Sequence, residues 1–379
     1  MAQRGQGAAL LPLPEEDALR LNIKDYAPES LRALLQQEGL PGYRAGQLAG
    51  WLYARGVEDF GAMTDLGRPL RSALAARFHT RALEIEGVAQ AADGTLKGAL
   101  RAADGALIEA VLIPERRRTT LCVSTQVGCP LACAFCATGA MGLLRNLSTA
   151  EIVDQFCRMR EALPPGRRIT HVVFMGMGEP LLNLRNVLEA LRTLLHPRAF
   201  ALAPRRVTVS TAGVLPRIAE LVSQSPVNLA VSLHATRDEL RDVLVPLNRR
   251  YPIAALLEAL RALPGLSRRR PVFFEYTLMD GVNDSPAEAR RLAALLRGLP
   301  SKVNLIPMNP HPDAPYRPPS PEAAERFLGE LTRRGLTVTL RRSRGADIEA
   351  ACGQLAARGE PRLSAARGGP RPGVAGGPR

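Results

Sequence analysis

Three cysteines lie close together in the segment Gly128-Cys129-Pro130-Leu131-Ala132-Cys133-Ala134-Phe135-Cys136, separated by three residues and then by two. Three thiolates at this spacing can bind one soft metal centre from one side. A closed structural zinc site takes four protein ligands, and no fourth Cys or His lies nearby in the sequence. A [4Fe–4S] cluster needs a ligand on each iron, so three cysteines leave one iron for a ligand that is not protein.

The open iron suits S-adenosylmethionine, whose amino and carboxylate groups can chelate it. Two alternatives stay open at this point: structural zinc with a distant fourth ligand, and cysteines that are merely buried among apolar side chains. The segment resembles the cysteine signature of the radical SAM superfamily, which implies one [4Fe–4S] cluster bound by Cys129, Cys133 and Cys136.

The composition limits the class of protein. The 379 residues are 46% hydrophobic with a mean hydropathy of −0.05, which is enough for a substantial core. No run approaches the ~18 apolar residues of a membrane span, and the N-terminus has no basic start followed by an apolar stretch. Because three of the six cysteines cluster as ligands, a reducing compartment is favoured over a disulfide scaffold. We expect a cytoplasmic protein with no membrane partner, and a monomer.

The net charge of +14 favours a polyanionic partner, with nucleic acid first. The positive charge comes almost entirely from arginine, since only Lys24, Lys97 and Lys302 are lysines. This bias is typical of GC-rich coding sequence, so the arginine content alone is weak support for RNA binding.

Several elements must position these residues. We expect a flexible leader over residues 1–20, a helical RNA-binding domain over 21–82, and a disordered basic tail over 358–379. Apolar residues alternate with polar ones over 83–114, where Asp93-Gly94 and Asp104-Gly105 indicate hairpin turns. The prediction there is a small extension of three antiparallel strands.

The body, over residues 115–357, alternates strands with amphipathic helices. This pattern predicts an α/β fold built as a parallel βα barrel, whole or partial. The predicted strands are Thr120–Ser124, Ile169–Met175, Arg206–Ser210, Val227–Leu233, Val272–Leu278, Lys302–Ile306 and Thr337–Arg341, and the predicted helices lie near 149–162, 184–195, 214–223, 237–245, 253–262, 286–298 and 321–334. Because a closing barrel makes its first and last strands neighbours or near-neighbours, we expect Cys122 and Cys352 at the same mouth.

Polar residues follow the predicted strands. In βα barrels the chemistry collects at the carboxyl ends of strands. His234 alone could be a core histidine, and the Gly-x-Gly at Gly176 could be a tight turn. Together the residues predict one polar ring around one cavity. They are the cysteine triplet, Gly176-Met177-Gly178-Glu179-Pro180, Ser210, Thr211, Ser232, His234, Asn304, Asn309 and Cys352. Cys157 is expected to be a core residue.

Three further stretches narrow the resemblance. They are Leu121-Cys122-Val123-Ser124-Thr125-Gln126-Val127-Gly128-Cys129, Asn304-Leu305-Ile306-Pro307-Met308-Asn309-Pro310 and Asp347-Ile348-Glu349-Ala350-Ala351-Cys352-Gly353-Gln354-Leu355. With the cysteine triplet and Gly176–Pro180, the chain resembles the RlmN family of radical SAM RNA methyltransferases over roughly residues 22–357. The resemblance implies methylation of C2 of adenosine 2503 in 23S rRNA and of adenosine 37 in tRNA.

The resemblance also implies a mechanism that uses two molecules of S-adenosylmethionine per turnover. The first methylates Cys352, and the second yields a radical that activates that methyl group for addition to adenine. Cys122 then releases the product through a transient disulfide with Cys352, and Glu109 accepts the proton of C2. The residues implied to bind S-adenosylmethionine are Gly178, Glu179, Ser210, Ser232, Leu233, His234 and Asn309. The implied partners are 23S rRNA, tRNA and an electron donor such as flavodoxin or ferredoxin.

Three alternative functions remain open at this point. A Cfr-like enzyme would share every catalytic cysteine but methylate C8 of the same rRNA adenosine. A non-catalytic iron–sulfur protein that binds RNA would need neither Cys122 nor Cys352. A radical SAM enzyme acting on a small molecule is disfavoured by the basic charge and by the N-terminal helical domain.

Overall fold

The computed structural model describes residues 20–37, 39–312 and 314–357. The predicted tail lies outside these residues, as does the predicted leader except for Arg20. Among the described residues, no helix combines the length and the apolar character needed to cross a membrane.

The N-terminal segment is helical, as the sequence predicts. Its helices α1, α2 and α3 pack Leu31, Leu48 and Leu74 into the main core. A short parallel pair of strands, β1 and β2, joins the two ends of the segment and was not predicted. The bounds are β1 Leu21–Asn22, α1 Pro28–Gln37, α2 Arg44–Ala49, α3 Arg68–Arg77 and β2 Phe78–His79, and α2 continues into a wider π-helical turn over Gly50–Arg55.

One sheet of ten strands organises the rest of the described chain. Three antiparallel strands come first and confirm the predicted extension: β3 Leu83–Gln90, β4 Leu96–Ala102 and β5 Leu107–Pro114. The following elements are β6 Thr119–Cys122, β7 Gln126–Gly128, α4 Ala137–Ala140, β8 Leu143–Asn146, α5 Thr149–Glu161, β9 His171–Phe174, α6 Leu184–Leu195, β10 Val207–Thr211, α7 Leu215–Gln224, β11 Asn228–Ser232, α8 Asp238–Leu244, α9 Ile253–Arg261, β12 Val272–Leu278, α10 Pro286–Leu295, β13 Ser301–Pro307, α11 Pro321–Arg333 and β14 Thr337–Leu340.

All seven predicted parallel strands are present, in the order β6-β9-β10-β11-β12-β13-β14. Their apolar side chains are buried because the intervening helices cover the sheet, as Val209, Phe274 and Leu305 illustrate. Local capping explains where helices begin. The Ser148 hydroxyl accepts the backbone N–H of Glu151, and the Glu151 carboxylate accepts the backbone N–H of Ser148, so α5 starts with a capping box.

The sheet is open, which confirms a partial barrel rather than a whole one. β6 pairs with β9 on one edge and with β5 on the other. The antiparallel extension therefore occupies the edge at which β14 would have to pair, and five parallel strands separate β6 from β14. The first and last parallel strands are not neighbours, so the barrel is partial.

A buried ionic cluster joins the N-terminal segment to the sheet. Lys24 is fully buried and its ammonium contacts the carboxylates of Glu58 and Asp154. Arg158 on α5 also pairs with Glu58. The second oxygen of Asp154 accepts the backbone N–H groups of Ala82 and Leu83 at 2.9 Å each. These bonds fix the N-terminal segment against α5.

Candidate active site

A small hairpin holds the cysteine loop. β7 and β8 pair as antiparallel strands on either side of it, and the Cys129 N–H donates to the Gly142 carbonyl at 2.7 Å. Gly128 adopts φ 76°, and a Cβ there would lie 1.9 Å from that carbonyl oxygen. Only glycine fits this close approach. The hairpin therefore fixes the point at which the loop leaves the end of the sheet.

The three thiols of the cysteine loop do not all converge on one point in this structure. In the described part of the chain, the group of possible ligands that converges within 4.8 Å is Glu58, Asp154 and Cys157, and not the cysteine triplet. Three sulfurs on one zinc would lie about 3.8 Å apart, given Zn–S bonds of about 2.3 Å. A wider triangle suits a cluster, whose ligands sit on different irons.

The protein around the cysteine loop favours the neutral thiols, so a bound metal centre is what would stabilise the thiolates. Burial raises the pKa of the Cys129 thiol to about 12, and burial together with the nearby Cys136 thiol raises the pKa of Cys133 well above its usual value. Since metal binding deprotonates coordinating thiols, a cluster supplies the positive charge that these positions lack. The residues present therefore fit the group.

The Gly176–Pro180 loop is rigidly attached to the strand next to it. The N–H groups of Thr125 and Gln126 both donate to the Met177 carbonyl, at 2.8 and 3.2 Å. Gly178 has φ 97°, and a Cβ on it would lie 2.5 Å from the Cβ of Gln126. Glycine is thus required at Gly178 both by its φ and by this contact.

Glu179 links this loop to the next strand. Its carboxylate accepts the backbone N–H of Leu181 at 3.0 Å and that of Ala212, beyond β10, at 2.8 Å. Burial raises the pKa of the carboxyl group, while these N–H groups lower it. A buried carboxylate held in this way can accept further hydrogen bonds from an ammonium group.

The predicted residues at the ends of β10 and β11 lie at the same edge of the sheet. Ser210 is buried and Ser232 is half-buried. The Leu233 N–H donates to the Glu275 carbonyl at 3.0 Å. His234 adopts a left-handed φ of 60°, which turns the chain sharply after the strand.

His234 is a neutral imidazole in the folded protein. The Thr277 N–H donates to Nδ1 at 3.0 Å, so the proton lies on Nε2. Burial, with a smaller contribution from the positive charge of Arg241, lowers the pKa of His234 to about 3. The ring packs edge-on against Phe135 of the cysteine loop, with 4.7 Å between ring centroids. His234 can therefore donate one hydrogen bond next to the cysteines.

Cys352 reaches the mouth on the segment that follows β14. This segment crosses the open side of the sheet, and the Gly353 carbonyl accepts the N–H of Ala137 beside the cysteine loop at 2.8 Å. The Asn309 side chain donates to the Cys352 carbonyl at 3.0 Å. Asn309 was predicted to bind S-adenosylmethionine, yet here both ends of its amide contact protein, because Ser343 donates to its oxygen.

The Cys352 thiol affects the pKa of the Cys122 thiol. Burial raises the pKa of the Cys122 thiol, and the nearby thiol of Cys352 raises it further. Cys122 is buried whereas Cys352 is exposed, and both are free thiols. Although the surface of Cys352 is accessible, the protein around its thiol still disfavours the thiolate and raises its pKa. Cys157, by contrast, is buried in the main core, as predicted.

Glu109 lies on β5 and is buried. One carboxylate oxygen pairs with Lys97 at 3.0 Å, and the other accepts the N–H groups of Ala356 and Ala357 at 2.9 and 3.2 Å. The Glu109 carboxylate therefore connects residues 356 and 357, which follow Cys352, to the antiparallel strands of the extension.

Two buried charged residues at this edge were not predicted. Arg241 on α8 contacts the backbone beyond β10 and β11, and Glu275 on β12 accepts a hydrogen bond from Asn304 at 2.8 Å. Burial raises the pKa of Glu275, whose carboxylate also raises the pKa of the nearby Cys352 thiol. The only sequence signal for Glu275 was its place between apolar residues on a predicted strand.

Comparison with known proteins defines the class first. Residues 123–293 match the sequence profile of the radical SAM superfamily, and residues 21–79 match that of the ribosomal RNA large subunit methyltransferase N-terminal domain. The open parallel sheet, with a three-cysteine loop beyond β6, has the fold of a radical SAM protein.

Longer similarities define the family. Proteins named dual-specificity RNA methyltransferase RlmN from Geobacter sulfurreducens and Syntrophobacter fumaroxidans are each 48% identical over 335 residues, which is 88% of this chain and 92% and 98% of theirs. The crystal structure of a radical SAM methyltransferase from Sphaerobacter thermophilus is 47% identical and superposes with a TM-score of 0.82, covering 89% of this chain and 100% of that one. The chain belongs to the RlmN family.

Proposed function

We propose that this chain is an S-adenosylmethionine-dependent methyltransferase acting on C2 of adenosine in 23S rRNA and in tRNA. The observation that supports this most directly is that two free thiols outside the cysteine triplet, Cys352 and Cys122, lie near enough for the first to raise the pKa of the second. A methyltransferase that used simple displacement would need neither thiol.

The chemistry of the target explains why thiols are needed. C2 of adenine is electron-poor and has no nucleophilic lone pair, so direct displacement from S-adenosylmethionine cannot methylate it. When bound, one [4Fe–4S] cluster and two molecules of S-adenosylmethionine per turnover supply the methyl group and the radical, with electrons from a donor such as flavodoxin or ferredoxin. The protein binds, orients and shields these groups.

Cys352 carries the methyl group and Cys122 releases the product. The Cys352 thiolate accepts the methyl group, whose carbon then loses one hydrogen atom to the radical and bonds to C2, so that it joins this sulfur to the adenine. The adduct would return one electron to the redox centre and lose the C2 proton. For release, the Cys122 thiolate attacks the Cys352 sulfur and forms a disulfide. The carbon–sulfur bond breaks, its electron pair goes to the carbon, and a proton completes the product methyl. A thiol reductant must then restore both cysteines.

Glu109 is proposed as the acceptor of the C2 proton. Its carboxylate contacts Lys97, and a carboxylate is a side-chain group that can act as a general base. Its two bonds to Ala356 and Ala357 tie it to the segment that also carries Cys352. These hydrogen bonds to Ala356 and Ala357 must break if the Glu109 carboxylate is to reach the adenine of the RNA.

The RNA is proposed to contact the N-terminal segment and the arginine-rich surface. Arg55, Arg68 and Arg77 are exposed there, whereas Arg44 and Arg71 are half-buried and donate to backbone carbonyls. The exposed arginines can neutralise phosphates.

The test is nucleoside mass spectrometry of rRNA and tRNA from cells with and without this chain. We expect 2-methyladenosine to be lost from both RNAs when the gene is removed and restored by the wild-type chain. Appearance of 8-methyladenosine would establish the Cfr-like alternative, and unchanged nucleosides would contradict the proposal.

A further inference from the structure

Arg241 is a buried cation that lacks a carboxylate partner. Its side chain is 1% exposed. The guanidinium donates to the carbonyls of Leu233 at 3.0 Å, Ala212 at 2.7 Å and Ser232 at 3.1 Å, and to the Asn248 side chain at 2.9 Å. Among the described residues, no carboxylate lies within ion-pair distance of it. Burial lowers its pKa only to about 10, so it stays charged at neutral pH.

The carbonyls that Arg241 binds belong to the loops that carry the proposed S-adenosylmethionine ligands. Ser232 and Leu233 are themselves such residues. Ala212 presents its carbonyl to Arg241 and its N–H to the Glu179 carboxylate. One guanidinium therefore joins the loops beyond β10 and β11, and through Ala212 it reaches the loop that contains Glu179.

Arg241 also faces the cysteine loop. The Ala134 N–H donates to the carbonyl of Leu244, the last residue of α8, at 3.1 Å. This contact packs the cysteine loop against the helix that carries Arg241. Cys133 itself packs against the small apolar cluster that includes Leu244, so the helix that carries Arg241 also borders this cysteine ligand. The carboxylates of Asp238 and Asp242 reach Arg241 through the Asn248 side chain, so no direct ion pair among the described residues cancels the guanidinium charge.

We propose that Arg241 is a positioning residue with two effects: its guanidinium fork holds the loops beyond β10 and β11 in the arrangement that binds S-adenosylmethionine, and its charge stabilises the reduced state of a cluster bound at Cys133. The inference rests on the cofactors of the proposed function. It adds a residue that neither binds the cluster nor carries the methyl group.

Arg158 offers a matched control. It is also a buried arginine, but it lies on α5 and pairs with the carboxylates of Glu58, Asp154 and Glu161. If burial of an arginine mattered only for stability, the two residues would behave alike.

The experiment uses the full chain, reconstituted with iron and sulfide without air. Arg241→Met, Arg241→Lys and Arg158→Met are compared with wild type. Three quantities are measured: iron per chain, the Kd of S-adenosylmethionine by equilibrium dialysis, and the midpoint potential of the cluster by a titration monitored by electron paramagnetic resonance.

Arg241→Met should keep the iron content, weaken S-adenosylmethionine binding at least tenfold, and shift the midpoint potential to a more negative value, because a nearby positive charge favours reduction. Arg241→Lys should restore the potential but not the affinity, since an ammonium cannot reproduce the planar fork. Arg158→Met should change neither quantity.

Wild-type affinity and potential in Arg241→Met would overturn the inference, as would equal changes in Arg158→Met. If Arg241→Met does not fold, the Arg241→Lys variant provides the test. Wild-type affinity for S-adenosylmethionine in Arg241→Lys would contradict the role of the planar guanidinium. Failure of wild type to bind iron would instead contradict the proposed function.

Discussion

The side-chain amide of Asn309 donates to the backbone carbonyl of Cys352 at 3.0 Å. Asn309 follows β13, whereas Cys352 lies in a turn that belongs to no strand or helix. Ser343 donates to the other end of the same amide. The position of the exposed cysteine is thus set by a rigid strand of the sheet, and this bond makes its loop a defined part of the site.

Substitutions of the two cysteines outside the triplet, Cys352 and Cys122, should give opposite phenotypes. Cys352→Ala should form neither product nor RNA adduct, because no sulfur is available to carry the methyl group. Cys122→Ala should still accept the methyl group and add it to RNA, but it lacks the thiol that breaks the carbon–sulfur bond. We expect ribonuclease-sensitive mass on Cys352, detected by mass spectrometry of the purified variant.

Cys157→Ala is the control for removing a buried thiol, since Cys157 lies in the core beside Glu58 and Asp154. It should methylate RNA as wild type does. If purified Cys122→Ala carries no attached RNA and methylates RNA as wild type does, Cys122 is not the releasing thiol.

Each cysteine of the triplet should be needed for the cluster. Wild type reconstituted without air should bind about four irons. Replacing Cys129, Cys133 or Cys136 with Ala should remove a ligand and abolish cleavage of S-adenosylmethionine, whereas Cys352→Ala should keep its iron. Iron is measured by colorimetric assay and the cluster by absorbance. Stoichiometric zinc without iron in anaerobically purified protein would contradict the assignment.

Exposed arginines of the N-terminal segment should set the salt dependence of RNA binding. Arg55→Gln with Arg68→Gln should weaken binding and reduce the slope of log K against log salt by about 1 per lost phosphate contact. The measurement is fluorescence anisotropy with a labelled RNA at several salt concentrations. Arg297→Gln with Arg333→Gln removes the same charge near β13 and β14, and an equal effect there would indicate nonspecific attraction.

The buried ionic cluster should stabilise the whole protein. Lys24→Met leaves the buried carboxylate of Asp154 without its ammonium partner and should lower the free energy of unfolding by about 3–5 kcal/mol. Arg81→Met breaks a half-exposed pair with Glu58 and should cost less than about 1 kcal/mol. Denaturant unfolding measures both variants. Equal losses would show that burial of Lys24 contributes little.

His234 should make stability fall with acid. Its folded pKa of about 3 lies below the unfolded value of about 6.5, so the unfolded state binds more protons between these limits. Wild type without cofactors should therefore lose up to about 1.4 kcal/mol per pH unit from this group as pH falls through that window. His234→Gln should lack this component. The difference between the two unfolding curves across pH measures it, and parallel curves would contradict the neutral assignment.

Much of the fold was predictable from the sequence because its signals are local. The alternation of apolar residues places each parallel strand, and the cysteine spacing indicates the cluster without knowledge of distant segments. Ser148 and Glu151 mark the start of α5 within four residues. Gly178 follows a strand, which places it at the same edge as the other predicted residues.

Tertiary structure alone decided which strand occupies each edge of β6 and which charged residues are buried. The antiparallel extension takes the edge that would close the barrel, and the segment that carries Cys352 instead contacts the chain beside the cysteine loop. Arg241, Glu275 and Lys24 look like solvated charges in sequence. Their roles arise because segments far apart in the chain exclude water around them, and a charge removed from water acts strongly on whatever lies next to it.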